Sequence, residues 1–293
     1  TNKYGAGVYP KLFGRLPIYT SIEEFDPGNE EALLLEINTA LAIHCQNISA
    51  MDYLYWYRRG KTPVLGKTKE IRSEINDKIN VGYADEIVSF KNGYFMTHPS
   101  FYIAREKGSS IEDKVKTLND YLYLSGKHRA DNKVIDWFHT VGKADLFVRA
   151  NDDKKKPFKA EALDPRSAFV ARSLAPGNRP VYGLYAVVRD GKQFMSLWDR
   201  KNVYTLEGAE ITKAPASYPL YTLTALRVTD VQPNPLGMVP IIEYYYNSVM
   251  MGAFEAALPL IDATSALQSD RLDGVEQAVQ SLLVFYNRSE ERR

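Results

Sequence analysis

At Phe158 the spacing of apolar residues changes from three or four to two, and that change limits the fold more than any other feature. Upstream, "NEEALLLEINTALAIHCQNISAMDYLYWYRRG" sets Leu34, Ile37, Leu41 and Cys45 at helical intervals behind Glu30 and Glu31, with Gly60 as a stop. "IEDKVKTLNDYLYLSGK" carries Ile111, Val115, Leu118 and Leu122 on one face, and the next stretch carries Val134, Trp137, Phe138 and Val141. Downstream, "FKAEALDP", "AFVAR", "VYGLYAVVRDGKQFMSLWD", "VYTLEG" and "YTLTALRVTDVQP" are short, β-branched and aromatic. Pro176-Gly177, Asp190-Gly191 and Glu207-Gly208 punctuate them, which predicts an antiparallel meander with most of its sheet between Phe158 and Tyr246. A long helical tract follows Asn247. Helices, then strands, then helix predict an α+β fold rather than a doubly wound sheet.

Composition excludes several classes. The 293 residues are 45% hydrophobic and 25% charged, enough to bury a core. Lysine plus arginine, 37, nearly cancels aspartate plus glutamate, 36, so net charge demands no polyanionic partner and no anionic membrane. The one cysteine, Cys45, excludes an internal disulfide framework and reads as a small buried hydrophobe. No apolar run reaches the roughly 18 to 20 residues of a membrane span, and the opening "TNKYGAGVYPKLFGRLP" lacks a signal-peptide plan and reads as an arm. A start without methionine fits a piece of a longer protein.

Catalytic and metal-binding patterns do not emerge. "YGAGVYPKLFG" has neither the spacing nor the Lys-Ser/Thr of a phosphate loop. His44, His98, His128 and His139 share no zinc spacing with cysteines or carboxylates, so no metal and no cofactor are expected. Asp152, Asp153 and Lys154 to Lys156 before Pro157 read as a solvated hairpin, with a phosphate contact as the lesser alternative. Asp262, Asp270 and Asp273 suggest a carboxylate metal nuclease at first sight, but spacings of eight and three on a helix, with Arg271 the one basic residue nearby, read as a solvated or channel-facing stripe.

Three stretches, in order, carry a resemblance. "INDKINVGYADEIVSFKNGYFMTHPSFYI" presents an asparagine-rich helix, then Ile87, Val88, Lys91, Gly93 and Tyr94, then a strand with Pro99. "TVGKADLFVRANDD" with "ALDPRSAFVARSLAPGNRPVYGLYAV" places Gly142 before a strand and Asp164-Pro165 before a strand pair. "NPLGMVPIIEYYYN" brings Gly237, Val239, Pro240, Ile241, Ile242 and Asn247 into a helix entry, followed by "FEAALPLIDATSALQSDRLDGVEQ". Together they resemble the portal proteins, the head-to-tail connectors of long-tailed double-stranded DNA bacteriophages. That resemblance implies a non-enzymatic subunit of a ring at the capsid vertex, through which DNA is packaged and ejected and to which the tail attaches. It implies self-assembly, double-stranded DNA in a channel, terminase, scaffold or capsid protein and a tail adaptor as partners, no membrane, and a location in the virion reached through host cytoplasm. Members of the family are longer, continuing through a clip, a second stem helix, a tunnel loop and a crown, so a fragment or truncated form is implied.

On this reading residues 1–246 form a wing-like domain and 247–293 a stem and clip-proximal helix. Asn247 would cap the stem, with Met250, Phe254, Leu258 and Ile261 as its apolar stripe, and Pro259 would break it by clashing with the carbonyl of Glu255. A second piece would run through Leu272, Val275, Val279, Leu282 and Tyr286. Small residues permit close helix approach, so Gly252, Ala253, Phe254 and Ala256 are the subunit-interface candidates. Glu255, Asp262, Asp270, Arg271 and Asp273 are the DNA-channel candidates, and a channel that lets DNA slide should not be strongly basic. A nucleic-acid enzyme or motor subunit and a helical adaptor remain the readings from other classes.

Overall fold

The computed structural model describes residues 13–106, 108–190, 192–210 and 226–281. It is an α+β fold. A short strand, β1 (Tyr19–Thr20), precedes α1 (Glu30–Arg58), α2 (Tyr83–Phe95), α3 (Ser109–Leu124) and α4 (Lys127–Val141). Strands β2 (Lys143–Ala150), β3 (Phe158–Leu163), β4 (Ala168–Ser173), β5 (Pro180–Arg189), β6 (Lys192–Trp198), β7 (Asn202–Glu210), β8 (Arg227–Pro233) and β9 (Ile241–Tyr245) follow, then α5 (Leu258–Gln280).

Helix α1 forms where the sequence marks it. The Asn29 side chain accepts from the Ala32 N–H at 3.1 Å, Glu30 and Glu31 face the positive end of the dipole, and Gly60 leaves the helix at φ +92°. Its buried seam runs through Leu33, Ile37, Leu41, His44, Ile48, Met51 and Leu54, leaving Leu34 and Cys45 half-buried at the edge. The seam packs on Phe169, Tyr182, Leu184, Met195, Leu197, Tyr204 and Leu206, side chains of β4 to β7, forming the main core. Burial of this size is the dominant stabilising term.

The expected meander is split in two. Strands β4 to β8 form an antiparallel run in a six-stranded sheet ordered β1-β4-β5-β6-β7-β8, with β1 parallel to β4. After β8 the chain returns and β9 pairs with β2 in a three-stranded sheet ordered β3-β2-β9. One buried carboxylate stitches the sheets: Glu243 of β9 accepts from the Val170 N–H of β4 at 3.1 Å and from Lys143 Nζ of β2 at 2.9 Å. Pro176-Gly177 makes its turn and Asp190 sits at φ +51° between β5 and β6, but Gly208 lies within β7. The β6–β7 turn, which carried no such dipeptide, is built by Asp199, whose carboxylate accepts from the Lys201 N–H at 2.7 Å.

The segment around Asn76 also departs from expectation. No helix forms at residues 75–82, because the Ile79 N–H and the Asp77 N–H are drawn to side chains of α5. The helix forms over Ile87 to Tyr94 instead, and Pro99 lies outside any strand.

Candidate assembly and channel surfaces

The tail of the chain enters the body before it becomes a helix. The backbone N–H of Tyr246 donates to the Gly142 carbonyl at 3.1 Å, and that of Ala253 to the His139 carbonyl at 2.7 Å, so residues 246–253 wrap the C-terminus of α4. Gly142 (φ +89°) leaves a built Cβ only 1.9 Å from the Met250 carbonyl oxygen, and at Gly252 a Cβ would sit 2.6 Å from that of Thr140. Both glycines serve close backbone approach within the protomer. Asn247 does not cap a helix: its Oδ1 accepts from the Met251 N–H at 2.9 Å and its Nδ2 donates to the Met251 carbonyl at 2.9 Å, holding a loop. Pro259 does not break a helix either. It lies in the first turn of α5, where its missing N–H has no intrahelical acceptor to lose, so it starts the helix.

These facts relocate the interface candidates. Gly252 and Phe254 are buried, Ala253 is half-buried and Ala256 is exposed, and none of them belongs to α5. Phe254 stacks on Tyr57 of α1 with ring centroids 6.0 Å apart, and the stripe of Met250, Phe254, Leu258 and Ile261 closes the protomer's own core. Leu282 and Tyr286 lie outside the described residues.

Of the channel candidates, Glu255 is the most deeply enclosed. It pairs with Arg15 at 2.5 Å with both side chains fully buried, and it accepts from the N–H groups of Phe13 at 2.6 Å, Gly14 at 3.1 Å and Gly252 at 2.8 Å. A carboxylate so surrounded locks the N-terminal segment against the tail. Asp262 accepts from the Tyr57 hydroxyl at 2.6 Å. Asp273 is buried and receives Lys67 Nζ at 2.7 Å, Lys69 Nζ and the Asp77 N–H at 2.7 Å. Burial opposes its ionisation, but these donors outweigh it and hold the carboxyl down at about 2. Asp270, half-exposed, shares Lys67 at 2.8 Å, and Arg271 is exposed. The basic partners that the local sequence lacked thus come from residues 67–69, far away in the chain.

The inner face of α5 carries Leu258, Ile261, Ser265, Ser269 and Asp273, while Leu260 (70% exposed) and Leu267 stand on the opposite side with Ala263, Gly274 and Ala278 beside exposed Arg271, and Val275 and Val279 are exposed toward the end of the helix. A second bare region lies on α2, the segment after it and α3, with Phe90, Tyr94, Phe95, Phe101, Tyr102 and Ile103 all more than half exposed. Asn119 of α3 clamps Tyr102 by two 2.9 Å backbone hydrogen bonds, so this region is ordered against α3. Contiguous apolar surface of this kind marks association sites.

Two of the histidines are held inside the fold. His44 Nε2 contacts the Arg166 carbonyl at 3.1 Å and His139 Nδ1 donates to Asn92 Oδ1 at 2.7 Å. Burial holds them down at about 3 and about 4 respectively. Among the described residues no group of three or more His, Cys, Asp or Glu is placed to hold a metal, and no described helix is long and apolar enough to cross a membrane.

An α+β body in which Arg15 and Glu255 lock the N-terminal segment to the tail, with apolar side chains left exposed on α2, α3 and α5, is the kind of body that associates with other chains. The chain belongs to the phage portal proteins: the family described as "Phage portal protein, SPP1 Gp6-like" matches residues 37–291. No match was found among curated proteins. The family is structural rather than enzymatic, and membership implies an oligomeric ring at the portal vertex of a virion, with capsid and tail association.

Proposed function

We propose that this chain is a subunit of the ring through which double-stranded DNA is packaged and ejected and to which the tail attaches. The family match over residues 37–291 carries this reading. Exposed Leu260 and Leu267 of α5 support it, because apolar side chains that the protomer leaves uncovered call for a partner outside it. In this reading residues 1–246 are the wing-like body and 247–293 lead into stem and clip. Subunits meet through the Leu260, Leu267 and Val275 face with exposed Ala256 beside it. Asp262, Asp270 and Arg271 are the groups left near the channel, with Asp273 positioning Lys67 behind them. Terminase, scaffold or capsid protein and a tail adaptor are the proposed partners, met first in host cytoplasm.

Sedimentation of a clip-containing form tests the reading. It should give a closed ring that Leu267→Glu reduces to small species, whereas residues 1–293 alone should give monomers or small oligomers. A ring unaffected by Leu267→Glu would remove α5 from the interface. Divalent-metal-dependent DNA cleavage by pure protein, lost on Asp270→Asn with Asp273→Asn, would replace the structural reading by an enzymatic one.

A further inference from the structure

The lysine run after Asp152 has a place in the fold that its sequence did not show. A groove of about 510 Å³ opens between the α3–α4 turn, α4 and β3. Four cations line it: Arg129 and Lys133 from α4, Lys156 from the β2–β3 turn and Lys159 from β3. Its one carboxylate, Glu161, lies 3.5 Å from Arg149, and Asp131 nearby is taken by Lys127. None of the four lining cations has an ion-pair partner among the described residues. The contrast with the larger described cavity, about 680 Å³ beside Arg58, is clear, since there Arg58 is already paired with Asp85 and Asp136 at 2.9 and 2.7 Å.

Folding does not explain this charge. Helix α4 has no acid in its first turn and places Lys127 and Arg129 there, against the positive end of its own dipole. Such an arrangement costs helix stability and adds to the positive potential in the groove. The floor tells which anion fits. It is made of small side chains, Ala130, Ala160 and Ala162 with Gly126, and has no aromatic ring. Bases have nothing to stack on, which disfavours a single strand. An aromatic anchor of a protein partner would find no ring to pack against, and an arginine anchor would meet four cations around the one carboxylate. What remains is a cluster of four cations without ion-pair partners among the described residues, a surface suited to phosphate groups.

We propose that this groove is a sequence-independent site for the phosphate backbone of duplex DNA, separate from any channel. No α5 residue lines it, so the groove is made of residues other than those proposed above for the channel. The proposal does not need the ring, so a failed oligomer test would leave it standing and its own failure would leave the ring reading intact.

The test is the salt dependence of binding of a labelled duplex to residues 1–293, followed by anisotropy between about 50 and 200 mM salt. Four phosphate contacts at about 0.9 each predict a log–log slope of about −3.6, and Lys133→Ala with Lys159→Ala should reduce it to about −1.8. Arg189→Ala with Lys192→Ala, on the exposed β5–β6 hairpin, should leave it unchanged. Thermal melts of both double variants matching the parent would establish that the loss is local. Equal slopes in parent and groove variant would overturn the site. Tighter binding of a single strand, or stronger competition by a polyglutamate of equal charge than by unlabelled duplex, would overturn the assignment to duplex DNA.

Discussion

Helices α1 and α3 carry the same kind of apolar periodicity, yet α1 buries residues on every turn and α3 buries none completely. Along α1 the stripe from Leu33 to Leu54 meets the sheet formed by β4 to β7. Along α3 Ile111, Leu118 and Leu124 stay about 40% exposed, and the neighbouring segment adds Phe101 and Ile103 to the same surface. Period identifies a face that needs covering; it does not say whether the cover comes from the same chain. The distinction is settled by the rest of the protomer. α1 is followed by enough sheet to cover it, whereas α3 sits at the outer side of α4, whose inner side is already committed to β2 and β3. The same division runs through the tail, where Phe254 lies on the α1 side of the contrast and Leu267 on the α3 side.

The strongest way to break this contrast is Phe254→Ala. As a core residue stacked on Tyr57, Phe254 should cost about 3 to 5 kcal/mol on truncation, read as a lower urea midpoint for the monomer. An interface-only residue would leave the monomer within about 0.5 kcal/mol, and that result would return Phe254 to the subunit surface. Next, Glu255→Gln strands the fully buried Arg15 guanidinium, and breaking such a pair costs about 3 to 5 kcal/mol in favourable geometry. Gln can still accept some of the backbone N–H groups, so the lower end of that range is expected. Loss of less than about 1 kcal/mol would mean that the N-terminal segment is not tied to the tail.

Much of the inward half of this comparison was legible in the sequence because it is local. Asn29, the acidic first turn and Gly60 bracket α1, and alternation marks β3 to β6 without any knowledge of the partners. The tail was misread because its determinants are remote. Glu255 is held by Arg15, 240 residues earlier, and Asp273 by Lys67, 206 residues earlier. Without those partners Gly252 to Ala257 looks like a small-residue helix face, and Pro259 like an interruption. In the structure the close approach is to the Thr140 carbonyl, and Pro259 opens the helix. The groove was illegible for the same reason: Arg129 and Lys159 are far apart in sequence and meet only when α4 packs on β3.

A smaller effect should follow pH. His44 and His139 both sit on the inward side, and burial holds them neutral down to about 3 and about 4, against 6.5 for a free imidazole. The native state therefore binds fewer protons than the unfolded chain below about pH 6.5. Their contribution is fully present above that pH and is lost as pH falls toward the two folded values. Asp273 acts in a separate window: its contribution is complete above its ordinary value of 3.8 and is lost as pH falls through about 2. Urea midpoints should thus decline between pH 6.5 and 4, and His139→Gln should flatten that decline while the acid window persists. A midpoint constant from pH 7 to 4.5 would mean that the two imidazoles are not buried in the native state.

The smallest effect on stability should come from the outward side, and there the comparison is sharpened rather than broken. Leu118→Ser and Tyr123→Ser remove apolar atoms from α3 that its own chain leaves partly or mostly uncovered; Leu118 is 40% and Tyr123 82% exposed. Surface changes of this kind usually stay within about 0.5 kcal/mol, so the urea midpoint should barely move. Self-association should respond instead, because apolar area that meets another subunit contributes about 25 cal/mol per Å² on burial only in the assembled state. In a clip-containing form the double variant should shift the sedimentation profile toward smaller species at equal protein concentration, with monomer stability unchanged. If the monomer were destabilised by as much as Phe254→Ala destabilises it, α3 would be covered within its own protomer. The difference between α1 and α3 would then be one of degree, and the association surface would have to be sought on α5 alone.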